Sequence, residues 1–147
     1  MVNFEMVDHT ADWAIRVWGQ DLADLLRQAA LGMNSLMVGQ ATYPEFVKKH
    51  LASKSSASNI TRTLTLDAFD RETLLVDWLT ELAYFAEMEQ LIFPVIELTH
   101  VTPTHLNAKI QGSPVAALVK HIKAVTYHNL AISETDTGLE VTIVFDV

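Results

Sequence analysis

At 147 residues, half of them hydrophobic and 19% charged, the chain suits one folded domain over 1–147 with a substantial core, not a disordered segment. It contains no cysteine, which excludes disulfides, thiolate metal sites and thiol catalysis. Eighteen acidic against ten basic residues give a formal charge of −8, so direct nucleic-acid binding is not expected and a basic protein partner or cations suit the surface better.

In chain order, Phe4-Glu5-Met6-Val7 and Trp13 to Trp18 read as two short strands, with Gly19 ending the second. Asp21 is a good N-cap for a helix from Leu22 to about Met37, where Leu22, Leu25, Leu26, Ala29, Ala30, Met33 and Leu36 recur at helical spacing. Gly39 is its expected stop. Residues 40–59 have no clear period, Lys48-Lys49-His50 looks like a solvated helix end, and Ser53 to Asn59 reads as an exposed loop. Ile60 to Leu66 alternates as a strand. A second helix is expected from Asp70 to about Gln90, with Leu74, Leu75, Trp78, Leu79, Leu82 and Phe85 as its apolar stripe.

Strands then follow at about Ile92 to Thr99, Thr104 to Gln111, Lys123 to Asn129, Ala131 to Glu134 and Leu139 to Asp146. Gly112-Ser113-Pro114 is expected to break this run, Val115 to His121 to form one helical turn, and Gly138 to mark the turn into the last strand. The sum is an α+β domain, two main helices packed on a mixed, mainly antiparallel sheet. No apolar run reaches the ~18 residues of a membrane span. The amino terminus lacks the basic and apolar segments of a secretory signal. Membrane association is therefore not expected, and a cytoplasmic location is.

The last strand carries Asp146 beside the carboxyl group of Val147. Two anions so close repel unless a cation lies between them, and a hard, oxygen-seeking ion is the simplest candidate. Asp12, in His9-Thr10-Ala11-Asp12, could complete such a site. A frayed tail at Val147 and a polar turn at His9 to Asp12 are the plainer readings. Asp77 and Glu81 lie four apart on the second helix, at the border of its apolar stripe, either as functional carboxylates or as solvated flanking residues. Lys123-Ala124-Val125-Thr126-Tyr127-His128 supplies a cation and an imidazole. As a strand it puts Lys123, Val125 and Tyr127 on one face, and Lys123 could neutralise Asp77 or Glu81. His50, His100, His105 and His121 are scattered with no HxH or HExxH spacing. Neither GxGxxG, GxxxxGK[ST] nor GxSxG occurs, so no nucleotide cradle or nucleophile elbow is evident.

Phe4 to Asp12 with its His-Thr-Ala-Asp signature, the Ala29-Ala30 helix, Leu74 to Leu82, Lys123 to His128 and the closing Val144-Phe145-Asp146-Val147 together resemble the archease family, in family order and over essentially the whole chain. The resemblance implies a small α+β protein that assists the tRNA-splicing ligase. That enzyme joins a 2′,3′-cyclic phosphate or 3′-phosphate RNA end to a 5′-hydroxyl with GTP. Such proteins promote guanylylation of the ligase's active-site histidine, give it multiple turnovers and broaden its nucleotide use, without being ligases themselves. The resemblance further implies a divalent metal, calcium with magnesium or manganese as alternatives, held by Asp12, Asp146 and Val147. His9, Asp77, Glu81, Lys123 and His128 are the corresponding partner-facing positions. Departures are Thr80-Glu81-Leu82-Ala83, where the family usually has Asn-Glu-Leu-Leu; Trp13, where a smaller aliphatic residue is more usual; and Lys48 to Asn59, which has no clear counterpart. The competing expectations are a metal-independent interaction or chaperone-like module and an independent metal-dependent phosphoesterase.

Overall fold

The structure is a computed structural model describing residues 3–7, 12–55 and 58–147. Strand β1 (Phe4–Val7) pairs antiparallel with β2 (Trp13–Gly19). The other edge of β2 pairs antiparallel with β8 (Gly138–Asp146). Alternation decides which face is covered: Ile15, Val17, Val141, Ile143 and Phe145 are all buried on one side, while Arg16 on the other bridges Glu5 and Glu140. Helix α1 (Leu22–Val38) covers the buried side, its N-cap Asp21 accepting from the Asp24 amide at 2.8 Å.

A second sheet holds β3 (Ile60–Asp67), β5 (His105–Pro114) and β4 (Leu91–Thr102) in that order. Helix α1 lies against both β2 and β4, so the two sheets share one core through it. Helix α3 (Arg71–Glu89) starts at Asp70, whose carboxyl is held below its ordinary range by hydrogen bonds from Thr73. It meets α1 where the buried Trp78 indole Nε1–H donates to the Leu26 carbonyl at 2.9 Å. The α+β class stands, every described pairing is antiparallel, and the strands divide between two sheets.

Three local expectations change. A third helix, α2 (Tyr43–Ala52), occupies the segment that lacked a period, because it buries little beyond Tyr43 and His50 and so shows no apolar stripe. It is tied down by polar contacts instead. Asn34 Nδ2 donates to Tyr43 Oη at 3.1 Å and to the Phe93 carbonyl at 3.0 Å. Ser113 Oγ donates to the Ser58 carbonyl, which leaves its lone pair to accept from His50 Nδ1–H. Next, β5 runs through Gly112 to Pro114. A Cβ at Gly112 would stand 2.1 Å from the Ile92 carbonyl oxygen beside the β4 bulge, so the glycine allows close strand approach and does not end the strand.

Finally, residues 115–123 form an irregular strap and not a helical turn, because their amides bond elsewhere. Val115 N–H donates to Gln90, Val119 N–H to Met37 and Lys123 N–H to Asp146, at 2.8, 2.8 and 2.7 Å. The strap feeds β6 (Ala124–Val125), only two residues long, and after a turn the chain adds β7 (Ser133–Thr135) against β8.

Two stability predictions follow from these contacts. Trp78→Phe removes the second hydrogen bond to the Leu26 carbonyl, which still accepts within α1, and should cost about 0.5–1.5 kcal/mol for that bond, read as a lower Tm in thermal unfolding. Burial pushes the Tyr43 hydroxyl up to about 12 from 10.0, against a smaller opposing effect of Asn34. A raised pKa means the folded state holds its proton more tightly, so this contribution is whole below about pH 10 and is lost as pH climbs toward 12. Tyr43→Phe should flatten that slice of the pH–stability curve, worth about 3 kcal/mol. An identical slope in wild type and variant would show that Tyr43 does not ionise on unfolding.

Candidate functional site

The end of β8 is gripped from both sides. Phe145 is fully buried and pairs with Trp13 of β2 and with Val125 of β6. Because the pleat alternates, Asp146 turns to the opposite face and is exposed, while Val147 is half-buried and packs on the core. Asp12 stands one residue before Trp13 and Asp146 one after its partner Phe145, so both lie at the same end of the β2–β8 ladder. On the other flank Ala124 pairs with Asp146, and Lys123 donates its amide to the Asp146 carbonyl. Thr126 secures this short strand, its amide and its hydroxyl both donating to the Val144 carbonyl at 3.0 Å.

The fold therefore gathers Asp12, Asp146, Val147 and Lys123 at one end of the first sheet. The donors are hard oxygens, chemistry that suits a divalent cation keeping several waters. Among the described residues no three His, Cys, Asp or Glu side chains cluster, so any ion here relies on two side-chain carboxylates and main-chain oxygens.

The remaining candidates are less concentrated. Asp77 and Glu81 are partly buried on α3. The neighbouring cleft is lined by Thr80, Ala83, Tyr84 and Glu87 of α3 facing Ile122 to Val125, without either carboxylate. By the ~100° helical step Asp77 lies about 20° from Tyr84, at the cleft's border, whereas Glu81 lies about 60° away. Lys123 makes no ion pair with Asp77 or Glu81 among the described residues. The expected face shared by Lys123, Val125 and Tyr127 does not form, because pairing stops after Val125; Val125 is buried, and Lys123 and Tyr127 are exposed. His128 sits in an exposed turn, its amide donating to Thr126 Oγ1 at 3.3 Å. His9 lies outside the described residues.

Two contacts near the site had no signal in the sequence. His121 Nδ1 meets Glu87 at 2.9 Å and joins the strap to α3 at the cleft, and Lys120 Nζ rests 4.2 Å above the Trp13 ring. Only the fold brings such distant positions together.

Comparison with known proteins bears on this arrangement. The model of the Archease protein family matches residues 4–147. The chain belongs to the archease family. Archease relatives include one from Methanosarcina barkeri, 26% identical with 99% of this chain and 96% of the relative aligned. An archease-like protein of Dictyostelium discoideum is 28% identical over 99% of this chain and 93% of its own. The archease of Saccharolobus islandicus strain M.14.25 is 29% identical over the whole of both. Among solved structures, a Methanobacterium thermoautotrophicum protein determined in solution shares the fold over the full length of both chains, with a TM-score of 0.68 and 24% identity. A crystal structure of an archease and possible chaperone from Thermotoga maritima does so over 96% of this chain and 94% of its own, with a TM-score of 0.61 and 17% identity. The archease match spans both strands that bring Asp12 and Asp146 together.

Thr126 offers a direct check on how firmly this end is built. Thr126→Val removes the hydroxyl bond to Val144 and should speed exchange of the Lys123 amide about fivefold, the effect of one ordinary hydrogen bond. Unchanged exchange would mean that β6 is held by packing alone.

Proposed function

We propose that this chain is a non-catalytic activator of the GTP-dependent tRNA-splicing ligase, acting in the cytoplasm. In this reading it promotes guanylylation of the ligase, sustains its multiple turnover and broadens its use of nucleotides. The observation that carries the reading is the archease family match over residues 4–147, supported by Asp12 and Asp146 flanking the same end of the β2–β8 ladder. The acidic balance, −8 overall, supports a protein or cation partner over RNA itself.

Asp12, Asp146 and the carboxyl oxygens of Val147 would hold a divalent cation, calcium with magnesium or manganese as alternatives. Such an ion supplies positive charge against the phosphates handled in nucleotidyl transfer. The chain's own part is positioning. Phe145 in the core and the ladders on both edges of β8 fix where the carboxylates point, and Lys123 sets the opposite flank. Lys123, Asp77, Glu81, His9 and His128 then face the ligase.

The decisive experiment is multiple-turnover RNA joining by the cognate ligase at limiting enzyme, with and without the protein. Wild type should raise joining from about one turnover per ligase to many. Asp12→Ala and Asp146→Ala should abolish that gain, and the exposed Asp146→Ala should stay within about 0.5 kcal/mol of wild type in stability. Full activation by both variants would sink the metal role of the two carboxylates, and no gain from wild type would sink the activator reading.

The role of Val147 is tested separately. Residues appended after it should weaken calcium binding, measured by calorimetry, where an amino-terminal extension does not. Equal affinities would remove Val147 from the ligands.

A metal-independent interaction module is the second reading, favoured by the thin donor set described above. It predicts activation that falls steeply with salt and ignores chelators.

A further inference from the structure

Trp13 and Lys120 form a contact that cation binding does not use. Trp13 is 37% exposed, and the Lys120 ammonium sits 4.2 Å from its ring centroid. Among the described residues Lys120 takes part in no salt bridge. In a chain of net charge −8, an ammonium resting on an indole and not on a carboxylate marks that ring face as a place where a cation is held.

The indole lines a cavity of about 200 Å³. Leu36 and Val119 give it apolar walls, and Ser35 and Gln40 give it oxygens that can accept hydrogen bonds. Each feature matches part of one side chain. Apolar walls suit a methylene stem. An aromatic face suits a planar guanidinium, and nearby oxygens suit its fork of N–H donors. The backbone beneath is fixed, with the Val119 and Lys120 amides both donating to the Met37 carbonyl at 2.8 and 3.3 Å. The Lys120 side chain is long, and its ammonium is readily hydrated, so it can leave the ring for water. Trp13 directly follows Asp12, so the cleft lies at the same end of the sheet as the acidic strand ends but on the other face of the pleat, within reach of a basic partner that wraps that end.

We infer that the Trp13 cleft is an anchor pocket for an arginine side chain of the basic protein partner, with Lys120 as its internal placeholder. The inference rests on the partner reading above for its setting, and on the cleft itself for its chemistry. A carboxylate from the partner would leave the opposite signature, since Lys120 would then be the attracting group.

Two measurements decide it. The first needs no ligase: NMR titration with acetyl-arginine amide, following the Trp13 indole N–H. A saturable shift is expected, tighter by about two- to fivefold in Lys120→Met, the effect of one exposed cation–π contact. A Trp13 signal that does not move in either protein overturns the pocket whatever the ligase does.

The second is binding to the cognate splicing ligase at fixed ionic strength. Trp13→Leu should weaken it about tenfold, Trp13→Phe less, and Lys120→Met should leave it equal or tighter. Wild-type affinity in a folded Trp13→Leu, or a loss in Lys120→Met as large as in Trp13→Leu, overturns the inference. If Trp13→Leu does not fold, Trp13→Phe and Lys120→Met still decide it. Multiple-turnover joining with the wild-type protein is run alongside. If it gives the ligase no gain while arginine still titrates Trp13, the ligase reading fails and the pocket stands.

Discussion

The β2–β8 ladder is the constraint on which the rest of this molecule depends. It unites segments from opposite ends of the sequence, and its last pair, Trp13 with Phe145, brings the neighbouring Asp12 and Asp146 to one end of the sheet. A slip of one residue would turn Phe145 outward and Asp146 into the core, exchanging a buried ring for a buried charge. Burial of Ile15, Val17, Val141, Ile143 and Phe145 against α1 makes such slippage very costly. Core packing therefore fixes the placement of the two carboxylates.

Long amphipathic helices and long alternating strands were legible in the sequence. Helices α1 and α3 announce themselves by an aspartate cap and an apolar stripe, and β8 by strict alternation before its end. Helix α2 did not, because Asn34 to Tyr43 and His50 to Ser113 hold it through single polar contacts that leave no periodic trace. At Gly112 a residue that usually punctuates a strand is there because a neighbouring carbonyl leaves no room for a side chain. The length of β6 is set by where β8 stops pairing, a tertiary fact invisible within residues 123–129.

The site shows the same division. Asp12, Asp146 and Val147 stood out because carboxyl groups at a strand end ask for compensation, and the family resemblance pointed to the same positions. The structure adds the flank, with Lys123 bonded through its backbone to Asp146 and Trp13 roofed by Lys120. Asp77 and Glu81 run the other way: four-residue spacing suggested a pair acting together, yet helix phase leaves only Asp77 at the border of the cleft. Spacing along a helix says which side chains are neighbours, not which groove they face.

The strap of residues 115–123 has a consequence of a different kind. Surface segments without helix or strand usually absorb insertions and deletions freely. This one spends its amides on Gln90, Met37 and Asp146, three points on three separate elements. Removing or adding one residue would pull at least one of those bonds out of reach, and with it either the end of α1 or the flank of β8. With Val115 and Ile122 held in the core, the strap is rigid in length and free only at its exposed positions, so lineages of this protein should vary those letters while keeping the number of residues.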